Sequence, residues 1–166
     1  METILLVLRI LGAWFIIVPI SVFLHELAHA VVILVLTQHP VKILIGSRGT
    51  PYTFQLGRLS IIVSPGFDVI FQATDCDAQL TPPVRMLFHL AGPISSLVCT
   101  ILFGSLWWWT NYAYPWGTFA LVCFILFIVT AFPWTYPKGL GVISDNQSDV
   151  LQAWRLFQHM RQSDEM

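Results

Sequence analysis

The sequence predicts a mainly α-helical integral membrane protein. It has three transmembrane helices, a small cytoplasmic antiparallel β-sheet inserted between the first and second, and a short C-terminal amphipathic helix. Three observations lead there. Of 166 residues, 56% are hydrophobic and only 10% charged, whereas ordinary soluble domains carry about 25% charged residues. The mean hydropathy is +0.73. The apolar residues also gather into three long runs, and the segment after the first is punctuated by Gly and Pro. The length suits one compact unit, residues 1–166. A net charge of −1 leaves no basic patch for nucleic acid.

The first run extends from Ile4 to Thr37, broken only by Arg9 and by the polar stretch His25 to His29. It is too short for two spans of roughly 20 residues and a turn. It therefore reads as one long helix, tilted or bent at Gly12 and Pro19, and ended by His39-Pro40. No cleavable signal pattern is expected, because the run continues too far.

Val41 to Thr74 carries short β-branched and aromatic segments: Lys42 to Ile45, Tyr52 to Leu56, Arg58 to Val63 and Phe67 to Phe71. Gly46, Gly49, Pro51, Gly57, Pro65 and Gly66 separate them. This pattern predicts a sheet of three or four strands. Thr74 to Pro83, with Asp75 and Asp77, reads as a polar loop. The second span is expected from about Val84 to Trp109 and the third from about Gly117 to Trp134. In the tail from Ser144 onward, Val150, Leu151, Trp154, Leu156 and Phe157 recur at helical spacing. Cys76, Cys99 and Cys123 lack any Cys-x-x-Cys spacing and read as reduced thiols.

Charge sets the orientation. Three spans put the 38–83 segment and the tail on one side, and that side carries Lys42, Arg48, Arg58, Arg85, Lys138, Arg155 and Arg161. The opposite loop, Thr110 to Trp116, has no charge. The positive-inside rule makes the sheet and tail cytoplasmic. Trp107, Trp108, Trp109, Tyr112, Tyr114 and Trp116 would form the outer aromatic belt, with Trp134 and Tyr136 in the inner one.

His25-Glu26-Leu27-Ala28-His29 spells H-E-x-x-H inside the first run. Residues four apart on a helix share a face, so both imidazoles can grip one metal ion, and Glu26 can serve as general base toward a water on it. Each ionisable side chain within a span costs roughly 2.5–3.5 kcal/mol on the insertion scale. Three within five residues point to a metal site rather than to packing. His29 lies about 12 Å along the helix from Thr37, so the metal is expected within the membrane but nearer the cytoplasm. Catalytic zinc takes three protein ligands and leaves a position for water. The sequence offers Asp145, Asp149 and His89 for the third.

The chain resembles the site-2 protease family of intramembrane zinc metalloproteases, as a minimal three-span core with no room for a PDZ or CBS domain. The likeness rests on His25 to His29, on Ala91-Gly92-Pro93-Ile94-Ser95-Ser96, and on Thr130-Ala131-Phe132-Pro133 followed by Ser144-Asp145-Asn146. It implies zinc on His25, His29 and Asp145, with Asp149 as the fallback and Glu26 as the catalytic base. Ser96 and Thr130 stand where the family often has Asn, and the resemblance implies substrate or oxyanion contacts at these positions.

The implied activity is zinc-dependent cleavage of transmembrane segments of membrane proteins, with a sheet edge holding the unwound substrate strand. The implied partners are a transmembrane protein or peptide substrate and the lipid bilayer. Regulation is expected from the substrate, a membrane partner or homo-oligomerisation. The competing expectation is a catalytically inactive, metal-retaining scaffold that binds client helices or a partner protein. Retention of Glu26 argues against it, since a binding site alone has no need of a general base.

Overall fold

The computed structural model describes residues 2–46, 50–64, 71–74, 80–135 and 147–164. One continuous helical stretch of 35 residues, Glu2–Leu36, opens the chain. It consists of α1 (Glu2–Gly12), a π-helical turn (Ala13–Ile17) and α2 (Val18–Leu36). The wide turn falls between Gly12 and Pro19, the expected bend points, where the proline cannot donate the normal backbone hydrogen bond. At 1.5 Å per residue the stretch is about 52 Å long, well beyond a hydrocarbon core of about 30 Å.

Pro82–Trp109 forms α3 and Trp116–Ala131 forms α4. Glu2–Leu36 and Pro82–Trp109 are long and apolar enough to cross a membrane, whereas α4 is a shorter apolar helix of 16 residues. Its end comes three residues before the expected Trp134. Phe132, extended at φ −74 and ψ 129, precedes Pro133, which disfavours helix at the residue before it. Asp149–Asp164 forms α5, within the expected tail helix.

The sheet has four strands: β1 (Val41–Ile45), β2 (Tyr52–Leu56), β3 (Leu59–Val63) and β4 (Phe71–Thr74). Their order is β2-β3-β1-β4. The expected all-antiparallel sheet is corrected here to a mixed one, because β1 runs parallel to β3, with Val41 opposite Leu59. β2 and β3 pair antiparallel, as do β1 and β4. Burial explains the swap. β2 and β3 form a tight hairpin around Gly57, whose φ of +59 suits glycine. Leu59 of β3 is buried with Val41 and Ile43, while every residue of β2 is exposed. The hairpin therefore offers β1 its apolar strand, which lies second. The fourth strand is Phe71–Thr74; most of the expected Phe67 to Phe71 segment lies outside the described residues.

The sheet is packed on the part of α2 that carries the histidines. Ala30, Ile33, Val41, Ile43, Leu59 and Leu80 form one buried cluster, with Phe23, Leu27, Val84 and Phe88 against it. Arg58 locks the arrangement. Its guanidinium donates to the carbonyls of Thr37, at 2.6 Å, and Leu34, satisfying acceptors that the end of α2 leaves without an intrahelical partner. On the other side, α3 packs against α2, α4 and α5.

Candidate metal centre

His25 and His29 are both buried, one turn apart on α2, with ring centroids 5.0 Å apart. Their Nε2 atoms approach to 3.3 Å. Asp149, the first residue of α5, brings Oδ2 to 3.2 Å from Nε2 of His25 and 3.7 Å from Nε2 of His29. Three donor atoms from two elements thus converge on one point.

Hydrogen bonds behind the rings show what kind of convergence this is. Nδ1 of His29 faces the backbone carbonyl of Phe88 at 2.6 Å. A carbonyl only accepts, so Nδ1 carries the proton and Nε2 of a neutral His29 is a bare lone pair. The Asp149 oxygen is a second acceptor. Burial pushes its carboxyl toward protonation, but hydrogen bonds and charge from His25 and His29 outweigh that and hold it well below the usual carboxylate range. Acceptors crowded this closely repel unless a proton or a cation lies between them.

The geometry fits a cation. Tetrahedral coordination with bonds of about 2.0–2.2 Å, as zinc makes to His and carboxylate, sets donors about 3.3–3.6 Å apart. The three edges here are 3.2, 3.3 and 3.7 Å. Two imidazoles and a carboxylate suit several first-row divalent ions, zinc among them. The histidines also have the outer hydrogen bonds that orient metal-binding rings. Ser96, itself buried, lies 2.8 Å from Nδ1 of His25 and plays for that ring the part Phe88 plays for His29.

Space at the point of convergence comes from α3. A Cβ built at Gly92 would fall on Nε2 of both histidines, so only glycine leaves this cradle open. Pro93, the next residue, is inside the helix and has no N–H for the preceding turn. That turn can open, next to the Phe88 carbonyl that His29 uses.

Asp149 is fixed from its own side. Ser148, 1% exposed, caps α5: its Oγ accepts from the backbone N–H of Leu151. It is also tied back to the end of α4. Its N–H donates to the Trp134 carbonyl at 3.0 Å, and the Trp134 N–H donates to its hydroxyl.

Of the expected site residues, the structure brings together His25, His29 and the fallback Asp149. Asp145 lies outside the described residues, as do Asp75 and Asp77. Glu26 is half-buried beside His25, close enough for its charge to act on His29. Ser96 stands behind the His25 ring, on the nitrogen away from the convergence, where the sequence suggested a substrate contact. The Thr130 hydroxyl donates to Leu126 of its own helix. His89 is buried, its ring 5.2 Å from that of Phe88, and it is not among the three converging groups. The Phe88 carbonyl and the Ser148 cap went unread in the sequence. A backbone acceptor has no residue signature, but Ser148-Asp149 followed by the apolar periodicity is a helix-start signal that puts Asp149 at the head of α5.

No family model matches the chain, and no curated protein sequence matches it.

The cradle yields a specific test. Gly92→Ala should raise helix propensity by nearly 1 kcal/mol and yet abolish metal uptake. Metal content and helical circular dichroism, measured on the same purified variant, check it. Metal content equal to wild type would show that the ion lies elsewhere.

Proposed function

We propose that this protein is an intramembrane zinc metalloendopeptidase that hydrolyses transmembrane segments of other membrane proteins. One observation carries the reading. Two histidines of an H-E-x-x-H motif, inside a helical stretch long and apolar enough to span a bilayer, converge at tetrahedral spacing with a carboxylate from α5. Three spans, with α4 the shortest, put the sheet and α5 on the cytoplasmic side, where Lys42, Arg58, Arg85, Arg155 and Arg161 lie.

His25, His29 and Asp149 would hold the zinc, which would supply a Lewis acid and a water with its pKa lowered toward about 7. Glu26 takes the proton of the attacking water and returns it to the leaving amine. The Phe88 carbonyl and the Ser96 hydroxyl keep both imidazoles turned toward the reacting centre. Burial of the two rings limits competing water.

The substrate has to unwind, because a transmembrane helix hydrogen-bonds every peptide group internally. The exposed edge strand β2 supports capture by strand addition. It sits at the end of the sheet, and Tyr52, Phe54 and Leu56 present one apolar face that is 67%, 62% and 75% exposed. Through β3 and β1 it is continuous with the cluster under α2.

Glu26→Gln should keep the metal and lose turnover by about 10²–10⁴-fold. Cleavage of a transmembrane reporter by reconstituted protein measures it; undiminished cleavage would remove Glu26 as the base. For the strand, Thr53→Pro and Phe54→Pro should behave differently. Successive amides point to opposite edges, so only one of the two breaks pairing with β3. The other should lower cleavage with metal content and thermal stability unchanged. If neither variant lowers cleavage, β2 takes no part in substrate binding.

A further inference from the structure

The apolar surface of this fold is far longer on one side than on the other. The Glu2–Leu36 stretch is about 52 Å long. A tilt of about 40°, the steep end of the usual range, still leaves about 40 Å across the bilayer. Its outward face stays apolar to the end, with Ile20, Val31, Val35 and Leu36 exposed. Helix α4 has 16 residues, or about 24 Å, short of a hydrocarbon core of about 30 Å. Leu121, Phe124 and Ile125 are exposed along it, and aromatic residues close it at both ends. Trp116 opens the helix. Beyond Ala131, Phe132 and Trp134 are exposed, and the Trp134 indole folds back to donate to the Val129 carbonyl at 2.9 Å. An indole, with an apolar body and one polar edge, favours the headgroup level.

The end of α4 also lies beside the converging groups. The Trp134 carbonyl accepts from the N–H of Ser148 at 3.0 Å, and the next residue, Asp149, brings Oδ2 to 3.2 Å from Nε2 of His25. Helix α2 instead continues from His29 to Leu36, about 10 Å further.

We propose that the bilayer is thinned along α4, and that this thinned edge carries the cytoplasmic water boundary to the point where His25, His29 and Asp149 converge. The proposal rests on the three-span reading above and deepens it. An unthinned core would extend about 6 Å past the last apolar turn of α4 and cover the polar chain at Ser148 with acyl groups. Lipid around α4 shortens to meet Phe132 and Trp134, while on the opposite side it follows α2 to Leu36. The partner this surface fits is therefore an annulus of short acyl chains, on the α4 side alone. The unequal edge has a chemical use. Hydrolysis consumes water, and both histidines are buried well short of the end of α2. Approached along α4, the same groups lie next to the headgroup level, so water reaches them without crossing hydrocarbon.

Depth is read from quenching of tryptophan fluorescence in vesicles of phosphatidylcholine brominated near the headgroup or near the chain end. Trp134 is isolated as the difference between wild type and Trp134→Phe, and the α2 edge is reported by the indole that Val35→Trp introduces. Trp134 should be quenched more by the shallow bromines than by the deep ones, and the indole at position 35 should also be quenched by lipid. Stronger quenching of Trp134 by the deep bromines overturns the thinning and leaves the span in place. An indole at position 35 that only aqueous acrylamide quenches means one flat boundary, which overturns it as well. No lipid quenching of Trp134 places the end of α4 outside the bilayer, and the three-span reading falls with the proposal. On unmodified protein, turnover of the transmembrane reporter should fall about fivefold as the acyl chains lengthen from about 14 to about 22 carbons, with zinc content unchanged. Turnover independent of chain length overturns the water path. Absence of turnover at every thickness refutes the peptidase reading, and the depth of Trp134 then still decides the thinning.

Discussion

The crowding of three acceptor atoms, Nε2 of His25, Nε2 of His29 and Oδ2 of Asp149, within 3.2 to 3.7 Å of one another is the constraint around which the rest of this fold is arranged. Such a cluster is unfavourable in an apolar bundle unless a positive charge or a shared proton lies at its centre. The surrounding structure holds it together from every side. Packing of Ala30 and Ile33 under the sheet, and the Arg58 clamp on the end of α2, fix the helix that carries the histidines. Ser148, pinned to Trp134, fixes the helix that carries the carboxylate.

The third side is α3, which donates no ligand of its own to the cluster yet shapes all of it. Within nine residues it supplies the Phe88 carbonyl behind one ring, the Gly92 gap in front of both, and the Ser96 hydroxyl behind the other. Gly92 and Pro93 act together. The missing side chain lets the imidazoles come close, and the missing amide hydrogen loosens the turn that presents the carbonyl. Three converging groups drawn from α2 and α5 are thus given their geometry by a third helix.

Much of this was legible in the sequence because it depends on local spacing. A four-residue interval fixes two histidines on one helical face whatever surrounds them. Runs of apolar residues fix helices to within a few positions, as Glu2–Leu36 and Pro82–Trp109 show. What escaped depends on contacts between distant segments. Asp145 and Asp149 are equivalent as residue types, and bringing Asp149 to the histidines takes a docking of α5 that no local pattern encodes. The parallel pairing of β1 with β3 follows from which hairpin strand is apolar on its inner face, a property that emerges only against α2. Ser96 looked like a replacement for a substrate-binding amide, yet its hydroxyl is turned toward His25, 71 residues earlier.

The most direct test of the account is the zinc content of purified protein, wild type beside Asp149→Ala and Asp145→Ala. The account predicts close to one zinc per chain in the wild type and in Asp145→Ala, with a marked loss in Asp149→Ala. Full zinc in Asp149→Ala would contradict the three-donor centre, and a wild type that takes up no zinc when supplied with it would contradict the metal site altogether.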